Sequence, residues 1–391
     1  MKKKIEESML ILAYAFLLCL CAALCCGACA EGAVDLANTE NHDGFLGFCR
    51  LPDGGLVLAG FTEIRGEGDM GRIVCLNADR TLRWTYTDKD AFSYATVAVT
   101  KDGLIAAYCY NGVKFFTPDG KPAGKDLELK YYGGEVYDIT PLGILSAKRV
   151  GDKVAEYAKL LDWDGYQLCR INVPESMWVG SAPIAEEDGL VLFGREGGEP
   201  GKGAAKIEKV DLQGKQVWAA LLQPLFAGRE DTGLQCGIKT SDGGYLAVQW
   251  ETVPGSDEGT LQGRYAVVKF GADGRPQCRN MQNWPTWQLA EYNGDYVACG
   301  RDLDPETGET VLRYLWMNSD GSTKGASKYR VSKEDIPRNV DSDKIVVTVE
   351  KLVPMDDGLW QVVCFWDTDE PEDEDPAYIQ QDNMLIRVPE P

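Results

Sequence analysis

The chain has 391 residues, with 61 Asp and Glu against 40 Lys and Arg and a single His, for a formal net charge of −21. So acidic a surface repels phosphate backbones and argues against nucleic acid as a partner. The lone His42 argues against His-dependent catalytic triads, and the chain beyond residue 30 lacks any C-x-x-C spacing that would suggest a structural zinc site.

Residues 1–30 read as a secretory signal segment: Lys2-Lys3-Lys4, an apolar stretch from Met9 to Leu24, and Ala28-Cys29-Ala30 before Glu31. Three fates fit it. It could be cleaved before Glu31, Cys29 could be lipidated within a degenerate lipobox (Cys26-Gly27-Ala28-Cys29), or the segment could stay as an uncleaved anchor. No later stretch is long and apolar enough to span a bilayer as a helix. The expected location is secreted or cell-envelope, touching a membrane only through this segment.

Residues 31–391 read as one domain of repeats. A tight polar turn leads into an apolar strand seven times, as in Pro52-Asp53-Gly54-Gly55-Leu56, Ser241-Asp242-Gly243-Gly244-Tyr245 and Asp356-Asp357-Gly358-Leu359. A strand ending in a second polar turn appears six times, as in Phe116-Thr117-Pro118-Asp119-Gly120 and Phe270-Gly271-Ala272-Asp273-Gly274. Unit one shows the full pattern of four short strands, A to D: Phe45–Leu51, Leu56–Phe61, Arg72–Leu76 and Thr81–Tyr86. Four-stranded units repeated in this way predict an all-β fold, a seven-bladed β-propeller of antiparallel blades, with six or eight as alternative counts. The blades fall near 44–90, 91–129, 130–174, 175–224, 225–282, 283–330 and 331–391. The seventh unit has a strand C at Asn383–Val388 and lacks a strand D. The short segment Ala33–Ala37 is expected to supply it and close the ring, which removes an exposed edge.

A fixed offset supports this register. Seven residues after the first position of each C–D turn stand Trp84, Gly124, Cys169, Trp218, Cys278 and Gly325. One slot per blade implies packing between neighbouring blades. The eight cysteines beyond the first thirty residues are scattered through apolar strand patterns and read as buried thiols rather than a disulfide framework.

Val210-Asp211-Leu212-Gln213-Gly214-Lys215-Gln216-Val217-Trp218 resembles the Trp-containing repeat of bacterial quinoprotein-like (PQQ-like) propellers, and Leu76–Trp84 is a looser match. The resemblance implies a propeller scaffold of the quinoprotein-like or WD40-like kind. It does not imply quinone binding, because the dedicated cofactor pocket of the dehydrogenases is not traceable.

In this register the A–B and C–D turns share one face of the ring, and the B–C and D–A connections share the other. The B–C loops are tight in blades two and three and long in blades one, four, five, six and seven. They form an acidic lip that includes Glu63, Asp69, Glu196, Asp302, Asp304, Glu306, Glu309 and the run from Asp367 to Asp375. Asp302, Asp304, Glu306 and Glu309 are the candidate ligands for a Ca²⁺ ion; no other cofactor is expected. Trp284 and Trp287 are candidates for stacking on a sugar or peptide. No catalytic constellation is present. The sequence therefore reads as a monomeric, non-catalytic binding or scaffold module for a protein, peptide or glycan at the cell surface. Two alternatives stand beside it: an exported glycan-active hydrolase or lyase, and an envelope sensor or assembly lipoprotein.

Overall fold

A computed structural model describes residues 34–35, 42–64, 68–129, 135–150, 153–173, 177–179, 183–199, 202–225, 232–254, 261–304, 306–332, 335–336, 345–367 and 381–391. These residues form seven antiparallel sheets in a ring, a seven-bladed propeller. Blade one runs His42–Arg50, Leu56–Ile64, Gly68–Leu76 and Leu82–Asp88 from the centre outward. Six blades follow this plan. Blade four differs in that its inner strand is split into Met177–Val179 and Ile184–Glu186, both paired with Gly189–Glu199. Blade two ends in an outer strand of two residues, Leu127–Glu128.

Ring closure follows the strand count. Blade seven contributes Ile345–Met355, Gly358–Asp367 and Gln381–Arg387, and Val34–Asp35 adds the outermost strand. Val34 pairs with Leu385 and Asp35 with Met384.

The apolar residues form seven clusters, one at each junction between blades. Strand periodicity explains this. Along Leu56–Ile64, Leu56 and Leu58 point to blade seven, while Val57 and Ala59 point to blade two. A strand covered on both faces needs apolar residues at every position, so the second strands are continuous apolar runs. Five cysteines sit in this core: Cys75, Cys109, Cys169, Cys299 and Cys364 are buried, and all eight described cysteines are free. Burial pushes the Cys49 thiol up to about 12 and those of Cys75 and Cys236 to about 11.

The outer-strand slot packs as its fixed offset predicts. Trp84 of blade one donates from Nε1 to Pro118 O of blade two at 3.0 Å. A Cβ on Gly120 would fall 2.5 Å from the Trp84 ring, and one on Gly274 2.3 Å from Trp218. Cys278 Sγ lies 3.0 Å from Gly321 O of the next blade. The outer strands of blades one to five thus rest on the following blade's C–D turn, and the turn glycine leaves room for the larger side chains.

The inner strands carry β-bulges in blades one, two, five and seven. Bulges blunt an edge that would otherwise recruit another strand. Side-chain amides take up backbone groups beside them. Asn383 of blade seven accepts from Phe45 N at 2.8 Å, and Gln361 Nε2 donates to Lys351 O at 3.0 Å.

Candidate binding face

The two faces of the ring differ in how their polar groups are committed. On the turn face, aspartates cap their own loops. Asp162 Oδ1 accepts from the backbone N–H groups of Asp164 and Tyr166 at 2.9 and 2.8 Å, and Asp211 Oδ1 repeats this with Gln213 and Lys215. Ion pairs then tie one blade to the next: Arg80 to Asp357, Arg50 to Asp356 and Lys125 to Asp164; Lys101 of blade two reaches Glu187 of blade four.

Two junctions on this face use a lysine, a carboxylate and a tyrosine at matching repeat positions. Lys209 Nζ bonds Glu186 at 2.7 Å and Asp188 at 2.8 Å, and Tyr245 Oη donates to Glu186 at 3.1 Å. In the next blade the buried Lys269 donates to Asp242 and Thr240, both at 2.8 Å, with its ammonium 5.1 Å from the Tyr296 ring centre. Burial alone would raise the Asp242 carboxyl. The hydrogen bonds from Lys269, Thr240 and the Gly244 backbone outweigh it and bring it down to about 2.

The opposite face carries the loops and exposed apolar side chains on them. Phe92 and Trp287 lie on D–A connections; Tyr110 and Leu303 lie on B–C hairpins. All four are exposed. Glu63 and Asp69 are directly opposed across the blade-one hairpin. Burial, and then the charge of Asp69, raises the Glu63 carboxyl; burial raises Asp69.

The candidate calcium ligands of blade six are engaged with arginines. Asp302 Oδ2 accepts from Arg313 at 2.9 Å and Asp304 Oδ2 from Arg330 at 2.6 Å, while Glu309 lies 3.5 Å from Arg330. Asp304 Oδ1 also accepts from the backbone of Glu306 at 3.0 Å, and the Glu306 side chain is exposed. Among the described residues, no three His, Cys, Asp or Glu are grouped to hold a metal ion. The two tryptophans separate. Trp284 is buried at the junction of blades five and six, whereas Trp287 is 43% exposed. Cys29, Glu67, Asp257, Glu258 and the stretch 368–375 lie outside the described residues.

Phe92 and Tyr110 escaped the sequence reading, which followed the long loops. Tyr110 had a signal, an aromatic at the end of the apolar run Leu104–Cys109 beside a tight hairpin; Phe92, in Asp90-Ala91-Phe92-Ser93, had none. Arg80 was also missed, although it occupies the turn position where the other C–D turns carry Gly.

No family model matches the chain, and no curated protein matches it. Among solved structures, it is similar to BamB from Moraxella catarrhalis at 10% identity and a TM-score of 0.42, over 87% of this chain and 93% of that one. The β-propeller domain of the trilobed protease from Pyrococcus furiosus gives 10% identity and a TM-score of 0.48, over 84% and 95%. Drosophila Plexin A, solved in complex with Semaphorin 1b, gives 10% and 0.45, over 91% and 86%.

Proposed function

We propose that this protein is an exported or cell-surface binding propeller, non-catalytic, that takes a protein partner on the face bearing its B–C and D–A connections. The observation that carries the reading is the set of exposed aromatic and apolar side chains held on the loops of this face. On the turn face, Arg80, Arg50 and Lys125 pair with carboxylates of the adjacent blade. The other face leaves Phe92, Tyr110, Trp287 and Leu303 exposed on a rigid ring. Exposed aromatics on loops held by a stiff scaffold are where binding surfaces concentrate. Export rests on the basic start, the apolar stretch and the A-x-A site before Glu31. Mass analysis of the protein recovered from its host tests that part: a chain beginning at Glu31, or a diacyl-modified Cys29, supports export, and an unprocessed soluble chain contradicts it.

The binding reading is tested by quantitative capture from the cell envelope with the wild-type ring and a F92S/W287S/L303S variant. Loss of the same discrete partner from the variant supports the assignment. An unchanged set of captured proteins contradicts it.

A further inference from the structure

Blade two forms a notch in this face. Its second strand, Ile105–Cys109, has 5 residues, against 9 in blade one (Leu56–Ile64) and 8 in blade three (Gly143–Val150). All three start just after the A–B turn, so their lengths set the height of each hairpin. In the common register blade three runs from Ile144, so at about 3.3 Å per residue the blade-two hairpin lies roughly 13 Å below that of blade one and roughly 7 Å below that of blade three.

Two aromatics stand at the floor of the notch. Tyr94 pairs with Cys109, and Phe92 and Tyr110 lie just beyond that pair at the same end of the blade. Phe92 is 69% exposed and Tyr110 60% exposed. Carboxylates flank them. Glu128 pairs with Gly112, and Leu129 N donates to Asn111 O at 3.2 Å, which brings the outer strand beside the hairpin. Asp90 donates its backbone N–H to Asp88 at 3.1 Å, two residues before Phe92. Asp126 immediately precedes Leu127, which pairs with Val113 of the same hairpin. The Tyr86 hydroxyl is pushed up by burial and then by Asp88, against Lys114, with Asp126 and Asp90 adding to it. The described cations of this rim are Lys89 and Lys114, and Lys114 is held by Asp88 at 2.5 Å.

We propose that this notch docks a basic segment of a partner polypeptide, its lysine or arginine heads on Asp90, Asp126 and Glu128 and its apolar stems across Phe92 and Tyr110. Long cationic side chains suit both halves of the site, because their stems cover apolar surface and their heads pair with carboxylates or ring faces. The acidic chain as a whole steers such a segment toward the ring. The inference rests on the binding reading above and gives that partner its chemistry.

The test is fluorescence anisotropy with a labelled peptide of alternating Lys, Arg and Leu and a control peptide with Glu in place of each cation. Wild-type protein should bind the first and not the second. Losing three exposed charge pairs corresponds to a weakening of about tenfold at low salt, so D90N/D126N/E128Q should show that loss and a flatter salt dependence. F92S/Y110S should weaken binding comparably, and W287S/L303S, on a distant blade, should bind like wild type. Equal binding by all variants, or no binding of the cationic peptide by wild type, would overturn the notch. If capture through Trp287 and Leu303 persists in that case, the wider reading survives and only the notch falls.

Discussion

The guanidinium of Arg80 lies 4.3 Å above the ring centre of Trp360, joining residues 280 positions apart at the seam where the propeller closes. Arg80 has φ of 68° at a turn position where the other C–D turns carry Gly. At those turns the preceding blade's outer strand presses on the glycine. Here that strand is the short Val34–Asp35, and Arg80 reaches back instead to Asp357 and Trp360 of blade seven. The left-handed backbone works against the arginine, and the clamp offsets it. Arg80→Ala loses the clamp and keeps the strain; Arg80→Gly loses the clamp and relieves the strain. Equilibrium denaturation should therefore place R80A below R80G by about 1 kcal/mol. Equal stabilities would mean that the turn is unstrained.

Asn383 makes the second seam contact, accepting from Phe45 N at 2.8 Å and donating to Phe45 O at 3.4 Å from a fully buried position. Asn383→Leu keeps the volume and leaves both backbone groups of Phe45 without this partner. A buried polar group without its partner costs about 1–3 kcal/mol, so N383L should be destabilised by at least that much in urea. A loss below a few tenths would show that the seam does not depend on this amide.

How much of this was legible in the sequence can be said residue by residue. The Asp-Gly turns fixed the blade count because their period is set by local backbone chemistry. Val34 as the closing strand followed from counting strands. The slot holding Trp84, Trp218 and Cys278 followed from a constant offset, since one slot has one neighbour. The rest depends on neighbours that sequence spacing does not show. Trp284 and Trp287 looked alike, yet one is buried in a junction and the other faces solvent. The acids of blade six read as a cation site, while Arg313 and Arg330, eleven residues or more away in sequence, come to lie against them. The notch over blade two arises from strand lengths relative to the adjacent blades, a property of the assembled ring.

Trp218 and Gly274 should behave as a coupled pair. Gly274 has φ of +75°, and a Cβ there would fall 2.3 Å from the Trp218 ring. Gly274→Ala suffers both backbone strain and a clash, and Trp218→Ala removes the clash alone. In a double-mutant cycle, G274A should therefore cost less in the W218A background, with a coupling of about 1 kcal/mol or more. Additive effects would show that the turn and the tryptophan do not meet.

Lys269 and Asp242 should respond unequally to substitution. Lys269 is buried with its side chain 1% exposed, whereas that of Asp242 is 51% exposed. Asp242→Asn leaves a buried ammonium without its charge partner, and Lys269→Met leaves a carboxylate that water reaches. D242N should be the more destabilising by about 2 kcal/mol or more, and K269M near neutral. The pH dependence has a definite sign. The Asp242 carboxyl falls from 3.8 to about 2 on folding, so its contribution is present above pH 3.8 and is lost as pH falls through that interval toward 2. Denaturation midpoints between pH 5 and 2 should show a shallower acid slope in D242N than in wild type; identical slopes would contradict this.

The account turns on which face of the ring works. Site-specific photo-cross-linking in cells measures this directly, with the reactive residue placed at Phe92, Trp287 or Leu303 on the loop face, or at Leu82, Tyr166 or Val217 near the turn face. All six positions are exposed. Discrete adducts from the first three positions and none from the second three are expected. Adducts confined to the turn-face positions, or equal from both sets, would contradict it.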